Sequence, residues 1–267
     1  HTPTPVPVIS EDQLPDRQMN ILLLGVDDFA ANGFRTDVIM LLSLNPKHNS
    51  ISLVSFPRDL YVTIPGYWSN RINTVWGLGG FELLADTFEV NFGIHPQYYM
   101  MVNYNGFRDV VNSLDGIDVV VTQELQDSCG RDASGWCIIK LGTVHMDGDM
   151  ALWYSRSRLT SSDFDRNRRA QEVVKAMFTK AMNLNMLPKV PELYGLYREY
   201  IDTNVQLLDI LPYLPLASEV MKTGNINQHA IGPEVVSNWI TAEGAMVLIP
   251  NYYGISAILS EALYLNE

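Results

Sequence analysis

Acidic and basic side chains lie together at the ends of three apolar segments near the start of the chain. They are Asp27, Arg35, Asp37, Arg58 and Asp59. Several carboxylates suit a hard cation such as Mg²⁺, which keeps part of its water shell and shares phosphate oxygens. Arginine does not lose its proton and grips phosphate through two parallel hydrogen bonds. Each aspartate alone is commonly a solvated turn or cap residue, but the combination indicates a site for a divalent cation and a phosphate.

Three strands would have to position these side chains. Residues 19–24, 38–44 and 51–56 are apolar segments that end at turn-forming residues, which is typical of strands. The connection between residues 26 and 37 is long enough to reverse the chain without a crossover helix. Successive antiparallel strands would bring the five charged side chains to one edge of a sheet, whereas parallel strands would scatter them.

A second cluster of charge lies further along a chain whose net charge is −12. It consists of Arg156, Arg158, Arg166, Arg168 and Arg169. Arg156 and Arg158 would share one face if that segment is extended. Arg166 falls in the first turns of a predicted helix, whose N-terminal end favours an anion. We interpret the cluster as a phosphate site; the alternative is a solvated basic face that pairs with neighbouring aspartates.

Helical and strand patterns alternate along the whole chain. The clearest helix is predicted from residue 162 to about 183, with Ser162 as N-cap, Asp165 in a near capping box and Val173 on its buried stripe. Other helices are predicted at 81–92, 107–114, 150–153, 207–221 and 253–263, strands at 98–102 and 117–121, and a tight glycine-rich loop at 77–80. Alternation without a clear linker predicts an α/β fold in a single domain.

Composition excludes several classes of protein. A chain of 267 residues that is 47% hydrophobic and only 18% charged is folded, with one sizeable core, and is not disordered. The net charge of −12 argues against nucleic-acid binding, which needs a basic face. The histidines and cysteines lack the spacing of a zinc site. No apolar run approaches the ~18–20 residues that cross a membrane.

Two features bear on the location of the protein. Residues 1–18 begin with alternating prolines and predict an extended tether, either a disordered end or what remains after removal of a signal or membrane anchor. Cys129 and Cys137 flank a turn-rich stretch and are either a disulfide or two reduced thiols. A disulfide would favour an extracytoplasmic location, because disulfides persist in oxidising compartments.

Short stretches of the sequence follow the order and spacing of a known family from about residue 19 to 183. They are Leu24-Gly25-Val26-Asp27, Arg35-Thr36-Asp37, Ser55-Phe56-Pro57-Arg58-Asp59, Arg71-Ile72-Asn73, Gly79-Gly80, Leu114-Asp115-Gly116-Ile117-Asp118-Val119, Met146-Asp147-Gly148, Ala151-Leu152, Arg156-Ser157-Arg158 and Asp163-Phe164-Asp165-Arg166. In these residues the chain resembles the LytR-CpsA-Psr (LCP) phosphotransferases of bacterial cell-envelope assembly.

The resemblance implies a three-layer α/β/α fold with a central mixed sheet, forming one catalytic domain over residues 19–267. It implies an extracytoplasmic enzyme of a bacterium, held at the cytoplasmic membrane by an N-terminal anchor removed from this chain. Such enzymes move a glycopolymer with its phosphate from a polyprenyl-pyrophosphate carrier to peptidoglycan, with Mg²⁺ or Mn²⁺ as cofactor.

The resemblance also implies roles for individual residues. By similarity, the Mg²⁺ ligands would be Asp27 and Asp37. A pyrophosphate clamp would consist of Arg35, Arg58, Arg156, Arg158, Arg166 and Arg169, with Asp163 orienting an arginine. The catalytic residues would be Arg58, Asp59, Arg156, Arg158 and Arg166, with Asp59 assisting binding or proton transfer.

Two positions depart from the family pattern, and two other functions stay open. Ala170 stands where a glutamine is usual, and Asp115 where a glycine is usual. A pyrophosphatase would use water in place of a sugar hydroxyl. A non-catalytic protein would bind a polyprenyl lipid or glycan through the same arginines and show no turnover, although carboxylates would repel its pyrophosphate unless a cation lay between them.

Overall fold

The structure, a computed structural model, describes residues 14–27, 35–130, 134–158, 162–183, 195 and 197–265. Most of the predicted proline-rich tether, residues 1–13, lies outside the described residues. Two compact units make up the chain. The first comprises His1–Met101 with Thr203–Glu267, and the second comprises Val102–Asp202.

The strands and α-helices of the described residues have the following bounds. The strands are β1 (Met19–Val26), β2 (Thr36–Asn45), β3 (Ser50–Phe56), β4 (Tyr61–Val62), β5 (Asn70–Arg71), β6 (Tyr98–Asn103), β7 (Ile117–Val121), β8 (Leu125–Ser128), β9 (Trp136–Ile139), β10 (Gly142–Met146), β11 (Ile201–Thr203), β12 (Ile226–Ala230), β13 (Val236–Ile240) and β14 (Met246–Pro250). The helices are α1 (Val75–Phe92), α2 (Tyr104–Ser113), α3 (Gly148–Arg156), α4 (Asp163–Asn183), α5 (Leu207–Ile210), α6 (Leu214–Thr223) and α7 (Tyr252–Leu263).

The first unit is built on a six-stranded sheet in the order β11-β6-β1-β2-β3-β12. Strands β1, β2 and β3 are successive antiparallel neighbours, and β12 pairs with β3 in parallel. The sheet is therefore mixed, and the predicted α/β fold with a central mixed sheet is confirmed. The antiparallel order also confirms that the end of β1, the start of β2 and the end of β3 share one edge.

Both faces of this sheet are buried. On one face, alternate residues such as Leu24, Leu41 and Phe56 belong to a hydrophobic core that includes Phe88 of α1 and Leu259 of α7. On the other face, side chains at the intervening positions are equally buried: Ile21, Met40, Leu42 and Leu53. Burial on both faces explains why these strands are continuous apolar runs rather than alternating patterns.

Helix α1 consists of two helical segments joined at a kink. A short first segment starts at Val75 and was not predicted, whereas the second segment, after the glycine pair of the predicted loop at 77–80, corresponds to the helix predicted at 81–92. Gly79 and Gly80 leave helical geometry there, and Gly80 has φ 66°. A residue with a β-carbon rarely adopts that conformation, so the glycine pair ends the first segment and lets the second begin in a new direction.

The second unit has its own hydrophobic core. Strand β7 pairs with β10, and β8 pairs with β9. Val119, Tyr154 and Val173 are fully buried in the core, and Met177 and Ala181 pack against it from α4. The predicted limits of α4 and its buried stripe are therefore confirmed.

Three further predicted helices have different limits. Helix α2 covers Tyr104–Ser113 rather than residues 107–114. Helix α3 covers Gly148–Arg156 rather than residues 150–153. The helix predicted over 207–221 is interrupted by a 3₁₀ turn at Leu211–Tyr213 that separates α5 from α6. Pro212 and Pro215 account for the break, because proline lacks the N–H that an uninterrupted helix requires.

Cys129 and Cys137 form a disulfide across the β8–β9 hairpin, with Cα atoms 5.7 Å apart. Replacing both cysteines by serine is expected to lower the free energy of unfolding by about 2–3 kcal/mol, because the open chain regains loop entropy when it unfolds. Urea denaturation of the oxidised protein and of the double variant measures the difference. A reductant should destabilise the wild type by the same amount and leave the double variant unchanged; equal stability of the two oxidised proteins would contradict the prediction.

Candidate functional site

The ends of β1 and β2 bring the predicted metal-ligating residues to one edge of the sheet. Val26 lies opposite Thr36, with an irregularity in the register between Gly25 and Val26. Asp27 follows directly after β1 and is exposed, while Asp37 occupies the irregular position of β2. Arg35, also exposed, directly precedes β2. The prediction that these three side chains lie at neighbouring strand ends is confirmed.

The end of β3 adds an alternating series of charges at this edge. Arg58 Nη1 lies 2.6 Å from Asp37 Oδ1, and Arg58 Nε lies 3.5 Å from Asp59 Oδ2. Arg71 Nη1 lies 3.3 Å from the other oxygen of Asp59, Oδ1. Each of these four side chains is between 19% and 26% exposed. We call Asp37, Arg58, Asp59 and Arg71 the charged edge.

Backbone hydrogen bonds hold the charged edge in place. Leu60 N donates to Pro57 O, which turns the chain immediately after β3. Ile72 N donates to Leu60 O at 2.8 Å and Asn73 N donates to Arg58 O at 3.2 Å. These two bonds fix the segment that carries Arg71 beside the segment that carries Arg58 and Asp59.

The charged edge was only partly predictable from sequence. Arg71 was not among the predicted site residues, although it belongs to the stretch Arg71-Ile72-Asn73 that matches the family. It stands alone in the sequence, so no local cluster of charge identifies it. Its place beside Asp59 depends on pairing between β4 and β5, which are strands of two residues each.

The donor set at this edge fits a hard cation. Asp27 and Asp37 supply carboxylate oxygens, which Mg²⁺ prefers. Asp59 does not converge with them on one point, and both of its oxygens lie near arginine nitrogens. Two neutral oxygen acceptors are also buried in the segments that carry these residues, Thr36 Oγ1 and Asn73 Oδ1, and neither has a hydrogen-bond partner within the described part of the chain. Buried polar atoms without partners are uncommon and are found where a water or an ion binds.

In the second unit, a capping box starts α4. Asp165 Oδ2 accepts hydrogen bonds from Ser162 N at 2.9 Å and Ser162 Oγ at 2.7 Å, and Asp165 N donates to Ser162 Oγ. The predicted N-cap is therefore confirmed. Burial alone would raise the pKa of Asp165, but the hydrogen bonds from Ser162 and the charges of Arg168 and Arg169 hold that pKa below its ordinary value.

Asp163 and Arg166 form an ion pair in the first turn of α4. Arg166 Nη1 lies 3.1 Å from Asp163 Oδ1, and only 5% of the Arg166 side chain is exposed, against 44% of Asp163. This is the contact expected of a carboxylate that orients an arginine. Whether Arg166 contacts phosphate stays a prediction.

Arg156 and Arg158 stand on either side of the buried residue Ser157, and both are exposed. Arg156 and Arg158 were predicted to share one face if the segment that carries them is extended. Arg156 is instead the last residue of helix α3, and only Ser157 after it is extended, with φ −52° and ψ 137°. The Arg156 guanidinium carbon lies 3.7 Å from the centre of the Tyr104 ring. Tyr104 was not predicted, because the contact joins residues far apart in the sequence.

Arg169 differs from these two arginines in its burial. It is 1% exposed and donates hydrogen bonds to two backbone carbonyl oxygens, Tyr154 O at 2.8 Å and Ser157 O at 2.5 Å. Burial, with the nearby charge of Arg168, lowers its pKa. These bonds tie α4 to the end of α3 and so position the segment that carries Arg156 and Arg158. A contact between Arg169 and pyrophosphate stays a prediction.

Glu172 is the centre of a buried polar network on α4. It accepts hydrogen bonds from Tyr154 OH at 2.5 Å, from Arg168 Nη1 at 2.7 Å and from Thr122 Oγ1. Burial and the Glu172 carboxylate raise the pKa of Tyr154, because both disfavour a second negative charge there. Three members of the arginine cluster, Arg166, Arg168 and Arg169, are thus bonded within the protein, whereas Arg156 and Arg158 are exposed.

Comparisons with known proteins place the chain in a family. The LytR_cpsA_psr family model matches residues 4–258. The regulatory protein MsrR of Staphylococcus aureus (strain COL) is 33% identical over 193 residues, which is 71% of this chain and 57% of MsrR. The polyisoprenyl-teichoic acid–peptidoglycan teichoic acid transferase TagT of Bacillus subtilis (strain 168) is 30% identical over 213 residues, 78% of this chain and 66% of TagT. The chain thus spans less than two thirds of the length of these relatives.

The fold is likewise shared with solved structures. A structure of TagT bound to LIIa-WTA has a TM-score of 0.74 and 26% identity, and covers 92% of this chain and 91% of that chain. Within the described residues, no helix is both long and apolar enough to span a membrane. Because the family match extends over nearly the whole sequence, the chain belongs to the LytR_cpsA_psr family.

Proposed function

We propose that this protein transfers a phosphate-linked glycopolymer from a polyprenyl-pyrophosphate carrier to peptidoglycan during bacterial cell-wall assembly. The observation that carries the proposal is the charged edge, where carboxylates and guanidinium groups alternate at the ends of three strands. The name of the relative TagT, a teichoic acid transferase that acts on peptidoglycan, supports the same reaction class.

The chain's own residues suit a phosphoryl transfer to a sugar hydroxyl. The hydroxyl oxygen bonds to the glycan-proximal phosphorus, the bond from that phosphorus to the bridging oxygen breaks, and polyprenyl phosphate leaves with the bonding electrons. The hydroxyl proton passes to a base. Arg58 would stabilise the charge that moves onto the leaving phosphate, since such reactions depend mainly on positioning and charge stabilisation. The same role for Arg156, Arg158 and Arg166 follows from the family resemblance alone.

Asp27 and Asp37 would hold Mg²⁺ or Mn²⁺, which supplies additional positive charge to phosphate oxygens. Arg35 is exposed beside them and would contact the pyrophosphate. Both oxygens of Asp59 lie near arginine nitrogens. This geometry favours a role in orienting Arg58 and Arg71 over a role as the base.

The proposal includes an extracytoplasmic location at the cytoplasmic membrane. The disulfide between Cys129 and Cys137 supports it, because disulfides persist in oxidising compartments. The membrane would be reached through an anchor preceding the proline-rich segment.

The test combines the protein with a synthetic polyprenyl-pyrophosphate glycan and peptidoglycan fragments. We expect transfer with Mg²⁺, loss of transfer with EDTA, and recovery when Mg²⁺ is restored. Asp27→Asn should reduce transfer by about 10²-fold or more, because it removes a charged ligand of the cation. Asp149→Asn, which changes an exposed aspartate of α3, is the matched control and should retain full activity.

Three outcomes would overturn parts of the proposal. If neither EDTA nor Asp27→Asn affects transfer, the proposed metal site is wrong. Release of polyprenyl phosphate at the same rate without an acceptor would favour a pyrophosphatase. Tight binding of the lipid with no turnover in Mg²⁺ or Mn²⁺ would favour a binding protein.

A further inference from the structure

A second group of metal-ligating side chains lies at the C-terminal end of α1, apart from the charged edge in sequence and in its donor types. Asp86 and Glu89 project from α1, and His95 follows the helix. His95 Nδ1 lies 2.9 Å from Glu89 Oε2 and 3.9 Å from Asp86 Oδ1. One ligand atom from each of the three side chains lies within 4.8 Å of the other two.

The local fold explains why the three side chains converge. Residues three apart on a helix lie on the same face, which aligns Asp86 with Glu89. Gly93 ends the helix with φ 73°, and its N–H donates to Glu89 O at 2.8 Å. Ile94 is 1% exposed, and its burial in the core fixes the position of the residue that follows it. The chain therefore turns back beside the helix and places the His95 ring next to the two carboxylates.

The separations fit a first-row transition metal. Metal–ligand bonds of about 2.0–2.2 Å in a tetrahedron put donor atoms about 3.4 Å apart. The two distances from His95, 2.9 Å and 3.9 Å, lie on either side of that value. The side chains are 32% to 55% exposed, so small rotations can equalise the distances and water can supply a fourth ligand.

We propose that Asp86, Glu89 and His95 form a binding site for Zn²⁺ or a similar transition-metal ion. An imidazole with two carboxylates favours such ions, whereas Mg²⁺ prefers oxygen ligands alone. The site thus differs in preference from the aspartates at the sheet edge. It would cross-link the end of α1 to the following segment, and it does not depend on the proposed transferase activity.

A simple histidine–carboxylate pair elsewhere in the protein provides the matched control. His145 Nδ1 lies 2.8 Å from Asp118 Oδ1, with both side chains more than half exposed. The distance and exposure resemble those of the His95–Glu89 pair, but among the described residues only the group of Asp86, Glu89 and His95 brings three such ligands together.

The experiment is a titration with Zn²⁺ by calorimetry and with Co²⁺ by visible absorption, in excess Mg²⁺ to occupy the oxygen-rich site. We expect the wild type to bind one more equivalent of Zn²⁺ than His95→Ala does, and to develop Co²⁺ absorption bands that this variant lacks. Glu89→Gln should weaken binding at least about tenfold and keep the fold. His145→Ala should bind as the wild type does.

Equal Zn²⁺ binding by wild type and His95→Ala would overturn the proposal, as would equal loss in His145→Ala. Circular dichroism and thermal unfolding without metal show whether each variant is folded. Added Zn²⁺ should raise the unfolding temperature of the wild type and of His145→Ala but not of His95→Ala.

Discussion

Arg158→Ala is expected to reduce glycopolymer transfer by about 10³-fold and to leave the free energy of unfolding nearly unchanged. The reduction is comparable to that seen when an arginine no longer stabilises charge in a phosphoryl transfer. Arg158 is exposed, and exposed side chains usually contribute less than about 0.5 kcal/mol to stability. Single-turnover kinetics and urea denaturation measure the two quantities separately.

The matched control for this variant is Arg108→Ala. Arg108 is an arginine of the same unit that pairs with Asp149 at 3.1 Å and is 39% exposed. Its loss should affect neither activity nor stability appreciably. Full activity of Arg158→Ala, or an equal loss in both variants, would contradict the role proposed for Arg158.

Arg58→Ala should show a similar loss of activity together with a loss of stability. Arg58 lies between the carboxylates of Asp37 and Asp59, at 2.6 Å and 3.5 Å. Its removal leaves two neighbouring negative charges, and the loss of such charged hydrogen bonds costs about 1–2 kcal/mol. Arg158→Ala therefore separates chemistry from folding more cleanly than Arg58→Ala.

Glu172→Ala is expected to lower the free energy of unfolding by about 3 kcal/mol or more. The side chain is 6% exposed and accepts bonds from Tyr154, Arg168 and Thr122. Its removal leaves the buried Tyr154 hydroxyl without its acceptor and removes a charged hydrogen bond from Arg168, and each such loss costs about 1–3 kcal/mol. Urea denaturation monitored by circular dichroism measures the change.

Glu219→Ala is the control for this second prediction. Glu219 pairs with Lys222 at 3.4 Å on α6, and the two side chains are 42% and 70% exposed. An exposed pair of this kind contributes about 0–1 kcal/mol. If Glu172→Ala and Glu219→Ala destabilise the protein equally, Glu172 is not the centre of a buried network.

The convergence of charged residues at the sheet edge could be predicted because the strands that carry them are continuous apolar segments of the sequence. Strands β1, β2 and β3 are apolar runs separated by clear turns, and their antiparallel order follows from the connections between them. The family resemblance covers the same residues. Asp27, Arg35, Asp37, Arg58 and Asp59 therefore fall where the sequence predicts them.

Contacts between distant residues were not predictable in the same way. Glu172 bonds to Thr122 across fifty positions of sequence, and Arg156 contacts the ring of Tyr104. A contact between residues so far apart produces no periodic pattern in the sequence. Sequence also does not distinguish Arg169, which is buried, from Arg158, which is exposed, because both belong to one basic cluster.

The remaining differences between the predicted and the observed elements involve short strands and a kink in a helix. Strands β4 and β5 have two residues each and carry too little pattern to detect. The glycine pair in α1 indicates a loop by composition. The structure has a non-helical kink at this pair, and the short helical segment before it was not predicted. Hydrophobic residues on both sides of the kink, such as Val75 and Leu84, are buried in the same core.

The charged edge has a thermodynamic consequence for ligand binding. Its two carboxylates and two guanidinium groups cancel in formal charge, so each arginine already has a counter-ion before a pyrophosphate arrives. A pyrophosphate that enters competes with the aspartates for the arginines, and a cation that enters competes with the arginines for the aspartates. Each ligand therefore releases the groups that the other needs. If the proposed function holds, linkage requires that the cation raise the affinity for the lipid by the same factor as the lipid raises the affinity for the cation.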